Sequence, residues 1–294
     1  IRVSAEKRAR ILELVKNMNY RPNLTARSLI SRKYFAVGVL FCSVKDRFYA
    51  EMMAVLQQRL TSAGYVGIFA FWENAGEVAA AYDSILSRGV DGIITCHNDT
   101  SLFPADLPVM IYGDMNQQHD SVLLDWTQAV HKTVDYLVGL GHHHIGFAAA
   151  SDDLRYSCYR QELERRRLPL QPEWVAGGNG FMSEGYQSVR QILENPSRPT
   201  ALITKNNTVG IAAIAAATDL GLRVPEDISI VSFDNIEEAT YCRPALTTVG
   251  ITIERQVDCL IQVFFQRLAQ PDAPPVRMLI EPELNIRNSC GRLN

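Results

Sequence analysis

The chain has 294 residues, of which 47% are apolar and 21% charged, and a net charge of −3 at neutral pH. That length buries one large core or two medium ones, and the composition is that of an ordinary globular chain. The near-neutral balance excludes a general polyanion binder. No stretch is apolar enough to span a membrane, and nothing resembles a signal peptide.

Charge is unevenly placed. Residues 1–33 carry Arg2, Lys7, Arg8, Arg10, Lys16, Arg21, Arg27, Arg32 and Lys33 against only Glu6 and Glu13. This reads as a basic arm on a slightly acidic body, or as one solvated helix face. Ser4 is placed to cap a first helix, in which Ile11, Leu14, Val15 and Met18 recur at helical spacing. Lys7 stands where a full capping box would want Glu or Gln. Pro22 ends the segment. Asn23 then caps a second helix over Leu24–Ile30, too short to be stable alone in water.

From Phe35 the rhythm becomes strand, helix, strand. Strands are expected over 35–41, 65–71, 92–95, 109–112, 121–124, 144–149, 201–204 and 228–233. Most are continuous apolar runs, as parallel strands covered on both faces require. Amphipathic segments lie between them at 48–63, 76–88, 126–140, 155–168, 184–194 and 206–220, and Gly64, Gly89, Gly141 and Gly221 sit where helices end. A long helix over Thr252–Ala269 leads through Pro271–Pro275 to two last strands. The alternation defines an α/β fold with parallel sheets, and the number of units implies two Rossmann-like subdomains.

The six cysteines (42, 96, 158, 242, 259, 290) show no C-x-x-C spacing and read as reduced thiols of a cytoplasmic protein. His142, His143 and His144 are consecutive, point in different directions and form no metal site. No G-x-S-x-G, P-loop or G-x-G-x-x-G precedes a helix, so neither an enzyme nor a cofactor is expected.

Several stretches carry a resemblance: Asn-Tyr-Arg-Pro-Asn (19–23), Gly-Val-Asp-Gly-Ile-Ile (89–94), Leu-Gly-His (140–142), Arg-Pro-Thr-Ala-Leu (198–202), Gly-Leu-Arg-Val-Pro-Glu-Asp-Ile-Ser-Ile-Val-Ser-Phe-Asp (221–234) and Pro-Ala-Leu-Thr-Thr-Val (244–249). In this order and spacing the chain resembles the lactose-repressor (LacI/GalR) family of bacterial transcription regulators over nearly its whole length. The resemblance implies a periplasmic-binding-protein-like body preceded by a partial helical headpiece, with the groove-reading helix pair of the helix-turn-helix upstream of Ile1. Residues 1–33 then correspond to the headpiece remnant and hinge helix. Residues 34–124 with about 251–275 form one effector subdomain, and 125–250 with about 276–294 the other. The implied protein is a homodimeric repressor of operator DNA that responds to a small-molecule effector such as a sugar. A periplasmic-type sugar-binding protein on the same fold is the alternative, which the hinge-like residues 19–32 oppose. Tyr20, Asn23, Thr25, Ala26, Arg27, Leu29 and Arg32 match the DNA-contacting segment, with Leu29 as the wedge between base pairs.

Ligands of open parallel sheets lie beyond the carboxyl ends of the strands. There the resemblance assigns Phe48 and Tyr49 to an aromatic ledge, Arg155 and Asp234 to polar recognition, and Asn206 and Phe181 to further contacts. Each is equally a cleft-lining or helix-starting residue, and Asn206 in particular can simply cap its helix. Cys96 replaces a position often Asn or Ser. Gly113 replaces an Asp, with Asp114 adjacent to serve instead. Val249-Gly250-Ile251 lacks a ligand-reaching Gln. The implied pocket is less polar than that of a typical sugar binder.

Overall fold

The computed structural model describes residues 4–17, 33–42, 45–104, 106–150, 153–177 and 180–293. In chain order the elements begin with α1 (Ala5–Asn17), β1 (Ala36–Cys42), α2 (Arg47–Ser62), β2 (Val66–Trp72), α3 (Val78–Leu86), β3 (Ile93–Thr95), β4 (Val109–Tyr112) and β5 (Asp120–Leu124). They continue with α4 (Trp126–Gly139), β6 (Ile145–Ala148), α5 (Leu154–Arg166), α6 (Met182–Leu193), β7 (Ala201–Thr204), α7 (Asn207–Asp219), β8 (Ser229–Phe233), α8 (Glu238–Tyr241) and β9 (Thr247–Gly250). The last are α9 (Ile253–Ala269), β10 (Arg277–Ile280) and β11 (Glu283–Asn285).

In α1 the Lys7 amide donates to Ser4 Oγ at 3.4 Å, so Ser4 stands at the cap position that the sequence assigns it. Leu14, expected on the apolar stripe, is half exposed. The second short helix and the seven candidate DNA-contacting residues between Tyr20 and Arg32 lie outside the described residues.

Two sheets follow. The first has the order β10-β5-β4-β3-β1-β2, the second β11-β9-β8-β7-β6. Every ladder is parallel except β11 against β9. The central strands β1, β3, β4, β7 and β8 are buried almost throughout, which explains their unbroken apolar runs. Gly64, Gly89, Gly141 and Gly221 all have positive φ just past a helix, a region that glycine enters without a Cβ clash.

The chain crosses between the sheets after β5, after β9 and after β10. The last crossing corrects the expected boundary near 276, because β10 belongs to the first sheet, with Arg277 opposite Ser121 and Ile280 opposite Leu124. A buried ion pair explains this. Arg267 near the end of α9 binds Asp120 at 2.7 Å, and the same carboxylate accepts the Val276 amide. The Pro271–Pro275 return is thereby fastened to the free edge of β5, and β10 adds there before the chain leaves. Strand β9 departs from the expected set. Its Thr247 and Thr248 are fully buried, with the Thr247 amide donating to Ser289 Oγ at 2.8 Å, so the strand carries no apolar signature.

Helices α2, α4, α5 and α7 start directly after strands or their loops, and each is capped by a short polar side chain. Asp46 accepts from the Phe48 amide, Asp125 from Gln128, Asp153 from Arg155 and Asn206 from Val209, at 2.9 to 3.0 Å. The carboxyl ends of both sheets are therefore lined with caps.

Candidate functional site

Between the carboxyl ends of the two sheets lies a cavity of about 370 Å³. Its aromatic wall is made of Phe48 and Tyr49 from the first turn of α2, Trp72 from β2, Tyr112 from β4 and Trp126 from α4. Phe48 stacks on Tyr112, with ring centroids 6.3 Å apart, and meets Tyr49 edge to face at 5.5 Å. Both contacts hold the ledge in one orientation. Phe181, the residue before α6, closes the side toward the second sheet.

The polar wall carries Arg155, Lys205, Asn206 and Asp234 from the second body and Asp46 from the first. The Arg155 guanidinium lies over the Trp126 ring, 4.5 Å from its centroid. Its Nε donates to Asp153 at 3.1 Å and its Nη1 to the Lys205 carbonyl at 2.6 Å. Lys205 Nζ reaches the other Asp153 oxygen at 3.2 Å. Burial works against the charged form of Asp153, but Arg155 and Lys205 outweigh it and hold the carboxyl below its ordinary value. Burial likewise disfavours the Arg155 cation, and Asp153 and Asp234 reverse that, raising its pKa.

Asp234 differs from the other acids. It follows β8 with φ of 69°, in the left-handed region that non-glycine residues rarely enter. Burial pushes its carboxyl up to about 7, with the nearby acids Asp46 and Asp153 acting in the same sense and Arg155 opposing. No hydrogen bond to this carboxyl is found among the described residues. Gly250 on β9 permits the arrangement, since a Cβ there would meet the Asp234 backbone at 3.0 Å.

A second hollow of about 460 Å³ continues the first across Tyr49, Tyr112 and Gly113 and is lined by Cys96, Asp114, Leu154 and Ser157. Six of the eight residues assigned by resemblance thus share one cavity, and Cys96 and Asp114 share the adjoining one. Besides Arg155 and Cys96, Asn206 and Asp114 are already engaged. Asn206 spends its Oδ1 on the Val209 amide and its Nδ2 on the Gly180 carbonyl, so its helix-capping role is realised. Asp114 is exposed and accepts from Asn98 Nδ2 at 2.7 Å. Asp46, Asp153, Lys205, Trp72, Tyr112 and Trp126 join the site without having been assigned to it. A short acid directly before a helix that follows a strand is the signal that would have found Asp46 and Asp153. The Leu-Gly-His histidine is structural: His142 is buried, with its ring nitrogens 3.0 Å from Thr200 Oγ1 and the Gly291 carbonyl.

Two parallel sheets facing one cleft define a periplasmic-binding-protein-like body. A family model described as a periplasmic binding protein-like domain matches residues 134–290, more than half of the chain, and the chain belongs to that family. Among the proteins it is similar to are transcriptional regulators of the lactose-repressor type. It is similar to an HTH-type transcriptional repressor PurR of Yersinia pestis bv. Antiqua, 28% identical over 310 residues, covering 98% of this chain and 89% of that repressor. The fold is that of the Lac repressor bound to ONPG, with TM-score 0.86, 24% identity, and coverage of 98% and 92%. It is also that of the transcriptional regulator CelR in complex with cellobiose, with TM-score 0.78, 22% identity, and coverage of 98% and 92%.

Proposed function

We propose that this protein is a homodimeric repressor of operator DNA whose affinity is set by a small polar effector in the cleft between its two bodies. The observation that carries the reading is the Asp234 carboxyl, half-buried beside the Arg155 fork, facing an aromatic ledge and lacking a hydrogen-bond partner among the described residues. Arg155 offers a planar set of donors and Asp234 a single strong acceptor, a pairing suited to vicinal hydroxyls or ring N–H groups stacked on Phe48 and Tyr49. A ligand held by both bodies binds one relative orientation better than another, and that difference is what shifts a conformational equilibrium. The basic arm, with Tyr20, Asn23, Thr25, Ala26, Arg27, Leu29 and Arg32, is the segment proposed to meet DNA. A Lac repressor dimer bound to operator is among the similar folds, at TM-score 0.83 and 24% identity.

The test is calorimetric titration of the chain with a panel of mono- and disaccharides and nucleobases, followed by operator titration of the full-length protein with and without the best ligand. Binding that Asp234→Asn weakens, together with a shift in operator affinity, supports the reading. Binding insensitive to both Arg155→Ala and Asp234→Asn moves the site elsewhere.

A further inference from the structure

We propose that Cys42 and Cys96 form a reactive dithiol in the wall of the cleft, which a peroxide-class oxidant closes to an intramolecular disulfide. Cys42 is the last residue of β1, and Cys96 follows the neighbouring strand β3. Their sulfurs are 3.7 Å apart, and the Cys42 amide donates to the Cys96 sulfur at 3.4 Å. A disulfide bond is about 2.05 Å long, so closure needs an approach of about 1.7 Å, within the reach of side-chain rotation and small backbone shifts.

The pair is accessible from the cleft. Cys42 lines the first cavity and Cys96 the adjoining one, and both are only partly buried. The Cys96 thiol donates to the Cys42 sulfur, and this hydrogen bond stabilises the Cys42 thiolate and holds its pKa below that of an ordinary thiol. The other four cysteines lack such an arrangement. Cys158 faces Thr127, Cys242 and Cys290 face backbone carbonyls, and burial raises all three as well as Cys259.

The chemistry balances with hydrogen peroxide as the two-electron oxidant. The Cys42 thiolate attacks one peroxide oxygen, an S–O bond forms, the O–O bond breaks, and hydroxide leaves to take up the thiol proton as water. The Cys96 sulfur then attacks the Cys42 sulfur while losing its own proton. The S–S bond forms, the S–O bond breaks, and a second water leaves. Two thiols are oxidised and one peroxide is reduced to two waters. The cross-link would tie the end of β1, a few residues before Asp46 and the Phe48 and Tyr49 of α2, to the end of β3. Its consequence for ligand binding rests on the cleft reading above, but its chemistry does not.

The experiment treats the reduced full chain with stoichiometric hydrogen peroxide, blocks the remaining thiols with iodoacetamide, and maps peptides by mass spectrometry. The expected product has four alkylatable thiols of the original six, lacks two hydrogens, contains a Cys42–Cys96 peptide pair, and returns to six thiols with dithiothreitol. Cys96→Ser should abolish closure and leave Cys42 at the sulfenic acid, which a second equivalent of peroxide carries on to the sulfinic acid. Bonds mapped to other cysteines or between chains, or Cys42 and Cys96 oxidised no faster than Cys259, would overturn the proposal. Should the variant fail to fold, peptide mapping of the wild type separates these outcomes by itself. Because no ligand enters the assay, its failure is distinct from failure of the cleft reading.

Discussion

Asp234 makes the stability of the protein depend on pH in a direction opposite to that of a salt-bridged acid. Its carboxyl stands at about 7 in the folded chain, against about 4 when unfolded. Between those values the folded state holds a proton that the unfolded state has released. Stability contributed through this group therefore falls as pH rises from about 4 to about 7, then levels off. From pH 5 to 8 the difference spans about two pH units, worth about 3 kcal/mol at about 1.4 kcal/mol per unit. The carboxyl opens on the water of the cleft, which screens it, so we expect between about 1 and 2 kcal/mol. Asp234→Asn isolates the effect, because Asn tolerates the left-handed backbone and keeps the side-chain shape while removing the charge. The assay is urea unfolding of wild type and variant at pH 5 and pH 8, read as a double difference so that other titrating groups cancel. The variant should gain on wild type by that amount at pH 8 relative to pH 5. Equal pH slopes for the two proteins would refute the argument and return Asp234 to an ordinary, hydrated carboxylate.

Three further outcomes are expected. Arg155→Ala should weaken the best cleft ligand at least about tenfold, as loss of a charged hydrogen bond worth about 1.5–3 kcal/mol implies, measured by calorimetry. It should also cost some stability, since Arg155 holds the Lys205 carbonyl and stacks on Trp126. Arg267→Met should destabilise by about 3 kcal/mol or more in urea, because Asp120 is left charged and buried; a change under about 1 kcal/mol would mean that β10 holds its edge without the pair. In the full-length protein, Leu29→Ala should lower affinity for the cognate operator and reduce its bending, while random-DNA binding at the same salt stays nearly constant; equal losses on both DNAs, or none on either, would reject the wedge.

The sequence reveals the parts of this fold that depend on local pattern. Apolar runs locate β4 and β7 to the residue, and the glycines with positive φ mark helix ends correctly. It fails where a long-range contact decides. Thr247-Thr248 is absent from the expected strands because only its contact with Ser289 accounts for its burial, and Arg277–Ile280 reads as part of a terminal pair until Asp120 and Arg267 fasten the return to β5. The same division holds in the cleft. Arg155 and Asp234 are legible because each sits at a fixed offset from a recognisable strand or helix start. Lys205 is not, because its role comes from meeting Asp153 and Arg155 across two strand ends, which no single segment encodes.

The caps also explain why the cleft is charged at all. A helix N-terminus stabilises an acid, and parallel sheets place several N-termini at one end of the molecule. Asp46 and Asp153 are the result, and two acids near one cleft repel unless cations answer them. Arg155 and Lys205 answer Asp153 directly, so the helix caps are satisfied without a ligand. Asp234 caps no helix, and its left-handed backbone aims it into the space that the other groups enclose. Burial raises its pKa, and Asp46 and Asp153 act in the same sense. A ligand donating to it, stacked on the aromatic ledge, would relieve burial that the protein alone leaves uncompensated, and only when both bodies close around it.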